Sequence, residues 1–344
     1  MPFKIIRNDI TKVEADVIVN TANPEPVVGD GTDSAVYQAA GKESLLEERI
    51  KIGKLSPGQA AITPAFELSA KYIIHTVGPI WKDGKQGEDD ILRSCYSNSL
   101  LLAEQVNAES IAFPLIATGV YGFPKNEALD IALSEIGKFL LTHDMEIILV
   151  VFDKESFQIS EQLMGEIDQY IDEFGIKELY TDEYTERNDM YRRRRLLEQA
   201  DYEIDEEVFS AAYAPIIAKN DDSSLEDILD NTGETFQQCL LRLIRESGVD
   251  EVEIYKKANI DRKLFSSIRC KKNYKPKKKT AVALAIALEL DMHTMMDLLS
   301  RAEIAFSPSN KFDLIISYCV TNGIYDMFKI NSILFQYDQP ILGE

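Results

Sequence analysis

Three histidines and four cysteines are all that 344 residues offer as metal-binding imidazoles and thiols or as cross-links. The cysteines (Cys95, Cys239, Cys270, Cys319) are widely scattered and form no CxxC pair, and none of His75, His143 and His293 stands at metal-ligand spacing. These absences argue against a structural zinc and point to a reducing cytoplasm. No run approaches the ~18 apolar residues of a membrane-spanning helix. The opening MPFKIIRNDI lacks the apolar core of a secretory signal. A cytoplasmic protein without resident metal, cofactor or membrane contact is expected.

Charge of one sign is in short supply. Lysine and arginine number 37 against 58 aspartates and glutamates, a net of −21. Residues 160–235 alone carry 7 basic and 22 acidic groups. Residues 252–280 reverse the balance, with 11 basic and 2 acidic groups. A basic island in an acidic chain needs a reason. The length fits two to three domains, and a hydrophobic fraction of 45% suffices for proper cores.

The most informative stretch is AFPLIATGVYGFP, residues 112–124. Its first half reads as a buried strand, Thr118-Gly119 breaks it, and a helical pattern begins at Asn126. Strand, glycine loop and helix N-terminus together present backbone N–H groups to a phosphate. Tyr121 and Phe123 offer rings to a sugar or base. Taken alone, the pattern fits a tight βα turn equally well. A second loop of the same kind follows the short apolar strand DVIVN at residues 16–20. There Gly29 and Gly31 bracket Asp30, and Asp33 leads into a helix with Ala35, Val36, Ala39 and Ala40. Two such loops at the carboxyl ends of parallel strands would face one crevice, where open α/β sheets bind ligands.

Seven blocks carry a resemblance: NDIT, DVIVNTAN, GTDSAVYQAAG, PGQAAIT, YIIHTVGP, SLLLA and FPLIATGVYGFP. In this order they resemble the macro domain, the ADP-ribose-binding module, and within it the ADP-ribosyl-hydrolase branch. The likeness covers residues 1–175, about half the chain. It implies a three-layer α/β fold with a mixed central sheet, and ADP-ribose or an ADP-ribosylated macromolecule as ligand.

The resemblance also implies roles. Asp9 and Ile10 match the pair that meets adenine, by a carboxylate accepting from the exocyclic amine and a neighbouring N–H. Phe152 matches the aromatic that stacks on adenine; the plainer reading is a core phenylalanine. Gly29 and Gly31, with Thr118, Gly119, Val120, Tyr121, Gly122 and Phe123, match the loops around diphosphate and distal ribose. Asn23 matches the amide that hydrogen-bonds the ribose hydroxyls. Asp33, ten positions after Asn23, matches the residue that orients or activates water. The helix N-terminus should keep it ionised; the plainer reading is a helix cap. Asn23 and Asp33 are the catalytic candidates. The sequence departs from the family where a four-glycine loop becomes Val28-Gly29-Asp30-Gly31 and where a frequent histidine becomes Tyr37. Both changes bear on substrate and rate. His75, in the strand-like YIIHTVGP, is expected to be a hydrogen-bonded structural histidine.

An amphipathic helix closes this region. A charged helical and flexible acidic linker is expected over 176–234, with four arginines at 192–195 read as a solvated helix. Residues 235–344 read as helical throughout. Within them, about 252–302 resemble the lambda-repressor-like helix-turn-helix bundle, with Asn259 where the turn usually has glycine. The implied second unit is an all-α domain whose Lys263, Ser266, Arg269, Lys271 and Lys272 face DNA, or a bundle that binds a protein partner. The leading functional expectation is removal of mono-ADP-ribose from proteins or small esters. The alternatives are a non-catalytic ADP-ribose reader and a ligand-sensing DNA-binding regulator.

Overall fold

A computed structural model of the protein describes residues 3–152, 159–174 and 233–343. The expected linker and the arginine run at 192–195 lie outside the described residues.

The first half is a six-stranded sheet in the order β1-β6-β5-β2-β4-β3. The strands are β1 (Phe3–Arg7), β2 (Val17–Thr21), β3 (Ala60–Pro64), β4 (Tyr72–Thr76), β5 (Ser110–Pro114) and β6 (Glu146–Val151). All neighbours are parallel except β3, which runs antiparallel to β4 at one edge. The central strands VIVNT and EIILVV are apolar on both faces because helices cover both faces. Helices α1 (Thr32–Ala40) and α2 (Lys42–Ile52) cover one. There Val36, Tyr37, Ala40 and Leu45 pack on Ile18, Ile73 and Ile148. Helices α3 (Glu88–Gln105) and α4 (Lys125–Thr142) cover the other, where Leu92, Tyr96, Leu129 and Ile136 join the core. The three-layer α/β arrangement with a mixed sheet is therefore as expected.

Helix α5 (Glu161–Phe174) follows, with Ile167 fully buried. The rest is helical: α6 (Phe236–Ser247), α7 (Glu251–Lys257), α8 (Arg262–Cys270), α9 (Lys278–Ala287), α10 (Met292–Ser300), α11 (Lys311–Thr321) and α12 (Met327–Gln336). Local chemistry sets the starts. Thr235 and Gln238 form a reciprocal capping box, and Asp250, Asp261, Asp291, Asn310 and Asp326 each accept an N-terminal N–H. Helix α9 is buried on every side, from Thr280 to Ala287, as its all-round apolar sequence requires.

These helices do not stand apart from the sheet, although the acidic linker suggests they should. Strand β1 is an edge strand, so no neighbouring strand pairs with its outer side. The Asn259 amide pairs there with Phe3: Phe3 N donates to Oδ1 and Nδ2 donates to the Phe3 carbonyl, each at 3.0 Å. Asn259 sits in the turn between α7 and α8 at φ +54°, the left-handed conformation that asparagine tolerates. Phe328 of α12 meets Phe3 edge-on at 5.0 Å. It also lies where a Cβ on Gly137 of α4 would come within 3.1 Å of its ring. At the other end of β1, Arg7 pairs with Asp338 and lies 4.7 Å from the Phe335 ring. No helix among the described residues is long and apolar enough to cross a membrane.

Candidate ligand-binding and catalytic site

Strands β2 and β5 are parallel neighbours, so the loops that leave their carboxyl ends lie side by side. Strands β1 and β6 end beside them, where Asn8 N–H donates to Val151 O at 3.0 Å. This brings together four segments distant in sequence: Asp9–Ile10, the loop 22–31, the loop 117–124, and Phe152.

The loop after β5 closes on its own backbone. Phe123 N–H donates to Ala117 O at 3.0 Å and Gly122 N–H to Gly119 O at 2.9 Å. Trp81 N–H donates to Tyr121 O at 2.9 Å. Gly122, at φ +66°, takes the left-handed turn. The N–H groups of Thr118, Gly119, Val120 and Tyr121 have no hydrogen-bond acceptor among the described residues. Gly119 has open space around it, with nothing within 4 Å of a Cβ placed there. Val120 is 84% exposed. Phe123 corrects an expectation: its ring is buried against Trp81, 4.6 Å between centroids, and is not available to a sugar or base.

Side chains hold the loop after β2. Gly31, at φ +63° and ψ −128°, caps α1 in a conformation that suits glycine. Asp33 does not cap the helix. Its carboxylate turns inward, accepting from Gly29 N–H at 2.5 Å and from Asn20 Nδ2 at 2.6 Å. It is 3% exposed, and burial pushes its pKa up, opposed by those two donors and by the charge of Arg49. Burial thus works against the ionised state that the helix N-terminus favours. Asn23 Nδ2 donates to Val27 O at 3.3 Å, and a Cβ on Gly29 would strike it at 2.6 Å. Asp30 is exposed on the loop.

Behind Asp33 runs a polar chain. Asn20 Nδ2 also faces His75 Nδ1 at 3.2 Å, and His75 Nε2 faces Thr63 Oγ1 at 3.0 Å. The carboxylate needs a donor, so the amide NH2 faces Asp33 and donates to His75 Nδ1 as well. His75 is then neutral, with its proton on Nε2 toward Thr63. Burial pushes its pKa down to about 3, so the structural role expected for it fits. Tyr37 is buried, with its ring 6.4 Å from that of His75. Burial and the neighbouring Asp33 push its phenol up to about 12. Burial and Asp33 also raise the phenol of Tyr121.

Just after β1, Asp9 accepts from Thr11 N–H at 2.9 Å and Thr11 Oγ1 at 2.7 Å, both through Oδ1. Those bonds hold its carboxyl below the usual range and leave Oδ2 free. The Ile10 side chain is core. Phe152 is 75% exposed and so is not a core residue. Two buried residues of the site were not read from the sequence: Asn20, and Arg49 of α2. The one signal for Arg49 was its position four after Leu45, on the face α2 buries.

The basic island divides. Lys256, Lys257, Arg269, Lys275 and Lys278 are ion-paired, Arg269 to Glu251 at 3.0 Å. Lys263, Lys271 and Lys272 are exposed on α8 and the loop after it, with Ser266 half-buried on the helix. Among the described residues no cluster of three His, Cys, Asp or Glu is placed to hold a metal.

Residues 19–132 match the family model described as Macro domain. An O-acetyl-ADP-ribose deacetylase of Cronobacter sakazakii is 39% identical over 172 residues, 48% of this chain and 96% of that protein. A macro domain-containing protein of Methanosarcina mazei is 43% identical over 167 residues, 48% of this chain and 89% of its own. The solved macrodomain of Oceanobacillus iheyensis with ADP is 37% identical. It covers 48% of this chain and 92% of its own, at a TM-score of 0.44.

Proposed function

This chain belongs to the macro domain family through its first half, and we propose that this half binds ADP-ribose and hydrolyses mono-ADP-ribosyl linkages on proteins or in O-acetyl-ADP-ribose. The observation that carries the reading is the run of four partnerless N–H groups, Thr118 to Tyr121, at the end of β5. Such a run neutralises a diphosphate without charged side chains. Phe152 stacks on the adenine, the free Oδ2 of Asp9 accepts from its amine, and the Ile10 N–H adds to that contact. Asn23 and Tyr121 meet the distal ribose. Asp33 keeps one free lone pair on each oxygen after its two bonds, enough to orient a water at the ester. Relatives named O-acetyl-ADP-ribose deacetylase at about 40% identity support the hydrolytic reading. The four cysteines are unpaired, which fits the cytoplasm.

Calorimetry on the full chain should give micromolar or tighter ADP-ribose binding, about −8 kcal/mol, and far weaker AMP binding. Turnover assays on aspartate/glutamate-, arginine- and serine-linked mono-ADP-ribose, and on O-acetyl-ADP-ribose, identify the linkage. Binding without turnover on any of them leaves a reader, and no heat with ADP-ribose ends the reading.

A second activity is favoured by where the unpaired cations lie. Arg262, Lys263, Lys271, Lys272 and Lys277 are all exposed, on α8 or the loop after it. With the left-handed turn at Asn259, this is a helix-turn-helix face for a nucleic-acid backbone. Arg269, tied to Glu251, is not free to read bases. Duplex binding that weakens steeply with salt supports this reading, and none at ~50 mM salt points to a protein partner.

A further inference from the structure

Arg49 is one of the largest fully buried side chains among the described residues, 1% exposed, yet no carboxylate among those residues pairs with it. Its guanidinium donates to three backbone carbonyls: Gly53 O at the end of α2, Asn23 O at 3.2 Å and Pro24 O at 3.3 Å. Two of the three belong to the turn that presents the Asn23 amide. Carbonyl dipoles alone compensate a buried guanidinium poorly, so a counter-charge is required nearby.

Two carboxylates act on Arg49, those of Asp33 and Glu25. Glu25 is 58% exposed and pairs with Lys54 at 2.8 Å. That leaves Asp33, 3% exposed, and one loop joins the two groups: Asp33 accepts from Gly29 N–H at one end of it and Arg49 holds the Asn23 and Pro24 carbonyls at the other. The other groups around the pair are neutral: Tyr37 on α1, His75 on β4 and Tyr121 on the loop after β5. The buried cluster is thus one cation, one anion and a set of uncharged donors and acceptors.

We propose that Arg49 is a positioning residue with two tasks: it locks the turn that carries Asn23, and it supplies the charge that lets Asp33 be an anion inside the fold. The proposal deepens the hydrolase reading above and rests on it for the role of Asp33. Without Arg49 the carboxylate keeps only Asn20 Nδ2 and Gly29 N–H against burial, and its pKa moves further up. A lysine keeps the charge but cannot reach three carbonyls from a planar fork. The two tasks therefore separate in two variants.

The test compares Arg49→Met and Arg49→Lys with the wild type, each with and without Asp33→Asn, in the full chain. The sign is fixed by linkage. A carboxyl whose folded pKa is raised has its full stability below the unfolded value of about 4, and loses it as pH rises through the folded value. Arg49→Met raises that value further. Its melting temperature should therefore fall increasingly behind the wild type as pH rises from about 4 to about 8. In the Asp33→Asn background the gap should be independent of pH. Arg49→Lys should show little of this pH dependence but bind ADP-ribose roughly tenfold more weakly or worse, because the Asn23 turn is no longer held. Where turnover is measured, the acid limb of the rate should move up by about one pH unit or more in Arg49→Met and stay in place in Arg49→Lys. A melting gap for Arg49→Met that ignores pH, or that keeps its pH dependence without Asp33, overturns the charge task. Unchanged ADP-ribose affinity in Arg49→Lys overturns the locking task. The melting cycle needs neither ligand nor turnover. A chain that fails to bind ADP-ribose thus refutes the proposed function, while the cycle still decides whether Arg49 and Asp33 are coupled.

Discussion

The two loops at the carboxyl ends of β2 and β5 are built by opposite means. The loop after β2 is stapled by side chains: Asp33 on Gly29 N–H, Asn23 on Val27 O, and Arg49 on the Asn23 and Pro24 carbonyls. The loop after β5 is closed by its own backbone, and leaves four N–H groups in a row without an acceptor among the described residues. Under the proposed function the first loop carries chemistry in its side chains, and removing one should disable it. The second would carry binding in its backbone, and adding a side chain should block it.

Removal is expected to have the largest effect at Asp33. Asp33→Ala deletes the group that holds Gly29 and, in the proposed function, orients water. Its rate should fall on the order of 10²–10⁴, with ADP-ribose affinity within a few-fold of the wild type. Single-turnover rates beside calorimetry test this. A fully active Asp33→Ala would move the water-orienting role to Asp30, which is exposed on the same loop.

Addition is tested at Gly119. A Cβ placed there has no atom within 4 Å beyond its chain neighbours, so Gly119→Glu should fold normally. Its carboxylate occupies the anion's place and repels it, and binding should weaken by about a hundredfold or more, two electrostatic contacts' worth. Unchanged affinity in a folded Gly119→Glu would mean that the phosphates lie elsewhere.

Much of this was legible in the sequence because both loops are punctuated. Glycines mark the turns, apolar runs mark β2 and β5, and Asn23, Asp33 and Phe152 stand at family spacings. Phe152 stays exposed where an apolar residue would ordinarily be buried, which separates it from core phenylalanines. Composition, however, cannot say which way a ring points. Phe123 and Phe152 look alike in the sequence, yet one packs on Trp81 and the other faces solvent. Nor does a sequence show that Arg49, in a helix of alternating charges, is turned inward. The docking of the helices was hidden for a related reason. It depends on an edge strand at residue 3 meeting a turn at residue 259, and no local pattern links the two.

The polar chain behind the first loop gives a pH signature that the second loop lacks. His75 is held neutral, with its pKa pushed down to about 3, whereas an unfolded histidine titrates near 6.5. Between those values the unfolded chain binds a proton that the folded one refuses. Stability should therefore fall as pH drops through this window, by about 1.4 kcal/mol per pH unit at most. His75→Gln, if folded, should flatten that slope between pH ~6 and ~4. Urea midpoints measured across this range decide it, and a slope unchanged by the substitution would assign the acid sensitivity to other groups.

The smallest effect on ADP-ribose binding is expected at the free edge of β1, and it sharpens the contrast by showing a side chain in a backbone's role. The Asn259 amide stands in for a neighbouring strand, pairing with both Phe3 N–H and C=O at the free edge of β1. Asn259→Ala leaves those two buried groups without partners, and an unpaired buried polar group costs about 1–3 kcal/mol. It also forces a non-glycine, non-asparagine residue into φ +54°. Asn259→Gly relieves that strain while still deleting the amide. A thermal melt of the full chain should then rank wild type above Asn259→Gly, and Asn259→Gly above Asn259→Ala. If Asn259→Gly melts with the wild type, the left-handed turn matters and the strand mimicry does not. ADP-ribose affinity should change little in either variant, because β1 remains paired to β6 from Phe3 to Arg7 on its inner side.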